Sequence, residues 1–260
     1  MKDRRPSSPA AFPNAVLPAQ ATLWDRLKHW LNSPVAVPSA PVVVELSPIM
    51  ASAKARAIER GSTVATSDDL FLVLGADQQV RAAIQTLGAD FDAIASDITA
   101  SPHETQHTAL MSFTLAGYVQ SSRQEWSTEL CVFLAAMRPH TALSAAILRQ
   151  TGLTPRQVLG RFAHPALPLT TVPPGTDETS AALIVFNDPL STQEDVRFIL
   201  KTACELLPPA AHDLMIDIHH KGSAQVAQGT YGEMLKLLEG IEEAAESRGS
   251  PLRIELQLVD

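Results

Sequence analysis

The stretch SAALIVFNDPLSTQEDVRFIL, residues 180–200, reads as a strand, a turn and the start of a helix. Ala182 to Phe186 form a short apolar run, and Asn187, Asp188 and Pro189 after them are turn formers. Thr192 with Asp195 makes a capping box, after which Val196, Ile199 and Leu200 recur at helical spacing until Pro208 and Pro209 break the pattern. Downstream, a second helix runs to Gly222 and a brief strand follows near Ala224 to Ala227. A third helix runs from about Tyr231 to Ser247, with Leu235, Leu238, Ile241 and Ala245 on one face and Gly249 beyond its end. In LRIELQL, residues 252–258, Leu252, Ile254, Leu256 and Leu258 alternate with polar residues as in a half-buried strand. Residues 181–260 are therefore expected to form a small α+β domain of order β-α-α-β-α-β.

The chain before this domain reads as helical. Ser47 and Pro48 open a helix through Met50, Ala53, Ala57 and Ile58 that Gly61 closes. Thr66 with Asp69 caps a second, Asp77 starts a third through Val80, Ala83, Ile84 and Leu87 to Gly88, and Asp90 starts a fourth with Phe91 and Ile94. The same order recurs further on. A helix is expected from about Thr108 to Ser121, one from near Ser127, one ending at Gly152 and one opening at Thr154 and Pro155. The fold class is thus mixed: an all-α tandem of four-helix units over residues 41–163, then the α+β domain. Pro and Thr between them, residues 164–180, mark a linker. Residues 1–40 are rich in Pro, Ala and Ser and read as a mostly disordered tail. Within it, Leu23, Trp24, Leu27, Trp30 and Leu31 line one face of an amphipathic helix over residues 22–32, which either packs on the body or docks a partner.

Composition narrows the function. With 260 residues and 45% hydrophobic side chains the chain can bury real cores, while a net charge of -8 and a pI near 5.5 argue against a nucleic-acid surface. Cys131 and Cys204 lie in separate apolar helical patterns, so packing is favoured over disulfide or catalytic chemistry, and a reducing cytoplasm is expected. No run is long and apolar enough for a membrane span, and the first residues lack the apolar centre of a signal peptide. The chain contains no Gly-Lys pair, which excludes the Walker phosphate loop and its ATP hydrolysis. His212, His219 and His220 have no metal-ligand spacing, and no activated Ser or Cys accompanies them, so neither a metal centre, a cofactor nor an enzyme is expected.

The stretch from Leu46 to Ile94 resembles the first half of the N-terminal domain of Clp ATPases, a helical double repeat that docks adaptors and substrates, here without the ATPase. The Asn187-Asp188 turn, MIDIHHKG at residues 215–222 and SPLRIELQ at residues 250–257 resemble the ClpS family, adaptors that deliver proteins with particular N-termini to the Clp protease. The resemblance implies that Asn187, Asp188, Ser191 and His219 hold the α-ammonium of a substrate protein. That is sensible chemistry, because a compact cation with three donors needs converging acceptors. It also implies an apolar socket for the first side chain, at Gln193, Val196, Met215, Ile218 and Leu252. His219 must then be neutral at its accepting nitrogen, so acidification should weaken capture. Each assignment has a plainer counterpart: Asn187 and Asp188 as a self-capping turn, His219 as a helix-end histidine, and the apolar residues as core. The chain departs from the family at Pro189 in place of an aspartate, Ser191 in place of a threonine and Gln193 in place of a methionine. Near Glu233 and Lys236 the alignment needs a one-residue insertion, so the edge through which the family docks on the ATPase is not carried over. Two functions follow: a non-catalytic Clp adaptor or modulator that binds protein N-termini, with a Clp ATPase as a second partner, or an interaction or inhibitory module that has lost N-terminus binding.

Overall fold

The computed structural model describes residues 47–62, 65–100, 126–137, 139 and 141–259, all within one compact unit, Val42–Asp260. The expected tail, its Trp24 and Trp30 helix and the helix near residues 108–121 lie outside the described residues.

The helical half comprises α1 (Ser47–Glu59), α2 (Ser67–Leu74), α3 (Gln78–Thr86), α4 (Phe91–Ala100), α5 (Thr128–Ala136), α6 (Ala142–Thr151) and α7 (Pro155–Ala163) among the described residues. Local chemistry sets the ends. Thr66 and Asp69 form the expected capping box on α2, Asp77 and Ser127 accept the N–H groups of Val80 and Leu130, and Thr154 boxes with Gln157 ahead of Pro155 at the first position of α7. α6 stops at Gly152, whose φ of +70° is a left-handed conformation that glycine adopts without a Cβ clash. Phe71, Phe133, Leu70, Leu74, Ile84 and Ile147 fill the shared core. Two side-chain contacts tie the earlier helices to the later ones: Ser127 Oγ donates to Asp77 Oδ1 at 3.1 Å and Arg149 pairs with Asp97 at 3.1 Å.

The C-terminal module follows as β1 (Thr170–Thr171), β2 (Ser180–Phe186), α8 (Gln193–Ala203), α9 (Pro208–Lys221), β3 (Ser223–Thr230), α10 (Tyr231–Arg248) and β4 (Arg253–Leu258). From β2 onward this is the expected β-α-α-β-α-β order. The sheet order is β1-β4-β2-β3, with β2 antiparallel to both β3 and β4. α10 packs on the sheet and on α8, enclosing Leu183, Val185, Ile199, Leu238, Ile241 and Ile254.

Residues 164–180 are more than a linker. Thr170 and Thr171 pair in parallel with Ile254 and Glu255 as an edge strand, fastened by Ile254 N–H donating to Leu169 O at 2.9 Å. Tyr231 Oη donates to Pro173 O at 2.8 Å, and Leu169 packs against Gly160 so closely that a Cβ there would lie 2.8 Å from its methyls. The prolines break helix as expected, but extended backbone with free N–H and C=O groups is also what an open sheet edge recruits.

Candidate functional site

The loop between β2 and α8 positions the acidic turn. Phe186 pairs with Ser223 at the start of β3, and Asn187 N–H donates to Gly222 O at 2.8 Å. Gly222 ends α9 in a left-handed conformation, φ +82°, three residues beyond His219. Asn187 and His219 are therefore brought to the same end of the module. Asn187 is exposed and His219 half-buried, its ring 5.4 Å from that of His220.

Asp188 turns inward and is 3% exposed. Its Oδ1 accepts the N–H of Leu190 at 2.8 Å and of Ser191 at 2.6 Å, which is the self-capping turn. Oδ2 is buried with no hydrogen-bond partner. Burial pushes the carboxyl above its ordinary range, against the Ser191 and Leu190 bonds and the charge of His164, which hold it down. Ser191 is buried too, its hydroxyl 2.6 Å from that of Ser250 in the loop before β4.

The apolar residues of the implied socket divide. Val196, Met215, Ile218 and Leu252 are 5%, 3%, 1% and 0% exposed and belong to one continuous core with the sheet. Gln193 is exposed in the first turn of α8, so water solvates its amide and no buried-amide penalty arises. The structure thus gathers four of the five into one cluster and leaves Gln193 at the surface.

Residues that the sequence reading passed over complete the surroundings. Leu190 is 3% exposed and belongs to the core of the helical half. Arg156 of α7, 7% exposed, donates to Leu252 O at 3.3 Å and faces Glu242 at 3.8 Å. His164 lies near enough to Asp188 to favour its ionised form. None has a local signature, because each acts on a partner at least 24 positions away. Among the described residues no group of three His, Cys, Asp or Glu side chains is set to hold a metal ion, and no helix is long and apolar enough to cross a membrane.

The family model of the ATP-dependent Clp protease adaptor protein ClpS matches residues 176–255. A ClpS domain is present there. The ATP-dependent Clp protease adapter protein ClpS of Streptomyces avermitilis is 41% identical over 51 residues, which are 20% of this chain and 49% of that protein. The chain spans about half the length of this curated relative. The acidic turn, α9 with His219 and the loop before β4 all fall within the ClpS domain.

Proposed function

We propose that this chain is a non-catalytic adaptor of Clp proteolysis that captures the free N-terminus of substrate proteins at Asn187, Asp188, Ser191 and His219. One observation carries the reading. Asp188 keeps a buried carboxylate oxygen without a donor beside the corner where Asn187 and His219 reach solvent. An orphaned carboxylate oxygen is costly, and a positively charged donor is what it lacks. A peptide α-ammonium supplies three N–H groups: one for Asp188 Oδ2, the others for the Asn187 amide oxygen and an accepting nitrogen of His219. The first side chain of the substrate would enter the apolar cluster around Met215, Ile218 and Leu252. Binding a Clp ATPase, delivering substrates to it and working in the cytoplasm belong to the same proposal, as does the likeness of the helical half to a Clp ATPase N-domain.

A second reading has its own support. Pro189 takes the place of a family carboxylate, and Val196, Met215, Ile218 and Leu252 are packed as finished core. On this reading the module engages a partner protein without holding its N-terminus. Fluorescence titration with peptides that differ only in the first residue, each free or acetylated, separates the two. Capture of amines requires that acetylation abolish binding; equal affinities for free and acetylated peptides favour the second reading.

A further inference from the structure

The rim of this site is also the seam between the two halves of the chain. Leu190, placed between Asp188 and Ser191, is buried in the core of the helical half and not in that of its own module. Across the rim, a Cβ at Gly249 would lie 3.0 Å from Pro139 Cδ and 3.2 Å from Pro155 Cβ. Next to Pro155, Arg156 holds the carbonyl of Leu252. His164, just beyond α7, is the residue of the helical half whose nearness favours the ionised form of Asp188. Asn187 and His219 reach water, so an amine arriving from solution meets them first, whereas Asp188 Oδ2 is closed off.

The seam is also imperfect in a telling way. Arg156 Nε is buried without a hydrogen-bond partner, as Asp188 Oδ2 is, so the closed arrangement leaves a donor and an acceptor unmet on its two sides. Buried unmatched polar groups weaken an interface, and they favour any state in which water or a ligand reaches them.

We propose that the helical half is a lid on the amine site: while the seam at Leu190, Arg156 and Gly249 is shut Asp188 is sealed, and a substrate N-terminus gains that carboxylate only as the seam opens. This rests on the N-terminus reading above. Apparent affinity is then the intrinsic affinity reduced by the fraction of chains that are open.

The test uses the full chain carrying Pro155→Cys and Gly249→Cys. The 3.2 Å separation from Pro155 Cβ is near the about 3.5–4.5 Å of a disulfide, so oxidation should lock the seam. The probe is a fluorescent peptide with a free N-terminal leucine, beside its acetylated twin. Oxidation should weaken binding of the free peptide at least about tenfold, and reduction should restore it. Undiminished binding by the oxidised protein overturns the lid while leaving amine capture intact. Arg156→Ala provides a second route that needs no disulfide. It should raise affinity for the free peptide several-fold and speed amide exchange at residues 187–191, and faster exchange without a gain in affinity contradicts the lid. If the reduced double variant and Arg156→Ala both fail to distinguish the free from the acetylated peptide, amine capture itself falls, and the lid with it.

Discussion

The hydroxyls of Ser191 and Ser250 meet at 2.6 Å inside the protein, joining the loop that carries Asp188 to the loop that leads into β4. A residue of the acidic turn is thereby fixed by a contact spanning 59 positions. Replacing Ser250 with alanine leaves the Ser191 hydroxyl buried without this partner and should cost about 1–3 kcal/mol. Chemical denaturation checks this, and Ser250→Ala should also weaken free-peptide binding by freeing the turn.

Asp188→Asn separates binding from stability. The amide keeps an oxygen for the Leu190 and Ser191 N–H groups but offers no negative charge to an amine, so peptide capture should be lost. Because burial raises the Asp188 carboxyl, with His164 and the two N–H donors opposing, its contribution to stability is full below the unfolded value and is lost as pH rises through the folded one. The asparagine variant should therefore gain on the wild type in urea denaturation as pH rises from the unfolded carboxyl value through the folded one. A carboxylate needed only for folding would produce the opposite trend.

In the helical half, Asp69 should respond to acid. Burial pushes its carboxyl up, but the Arg60 guanidinium at 2.7 Å and the N–H and hydroxyl of Thr66 outweigh burial and hold it below the usual range. A depressed carboxyl contributes stability above its unfolded value and loses it as pH falls through the folded one. Asp69→Asn should flatten the acid limb of the stability curve, as seen in thermal melts across that range.

Asp195, with its side chain 3% exposed, receives Arg248 Nε at 2.7 Å and the Thr192 hydroxyl at 2.6 Å. Removing Arg248 takes its cationic partner from a buried carboxylate, and Arg248→Met should destabilise the module by about 3 kcal/mol. Urea denaturation followed by far-UV circular dichroism reads the loss. The same side chain lies over the Phe198 ring, its Cζ 5.1 Å from the centroid, so some packing goes with the charge.

What could be read from the sequence was local. Thr66, Asp77, Ser127, Thr154 and Thr192 each bond to an N–H within three positions, and Gly152, Gly222 and Gly249 end helices within one turn, so residue type alone marks the boundaries. The Asp188 turn is equally local, and Oδ1 performs the self-capping role expected of such a residue while Oδ2 is left over for another. The rest depends on distant partners. β1 is two residues among prolines and exists because β4 offers it an edge. Leu190 looks like any loop leucine until the helical half encloses it, and Gln193 is exposed although it lies only one turn before the buried Val196. Whether an apolar residue such as Met215 is core or socket depends on what stands opposite it, which spacing along the chain does not encode.

The account stands on Asn187, Asp188 and His219 receiving a free chain end. Amide and imidazole NMR signals of the full chain, followed during titration with a peptide bearing a free N-terminal leucine, test this most directly. The account predicts shifts centred on Asn187, Asp188, Ser191 and His219 that vanish when the peptide is acetylated. Shifts confined to other surfaces, or identical for the free and acetylated peptides, would contradict it.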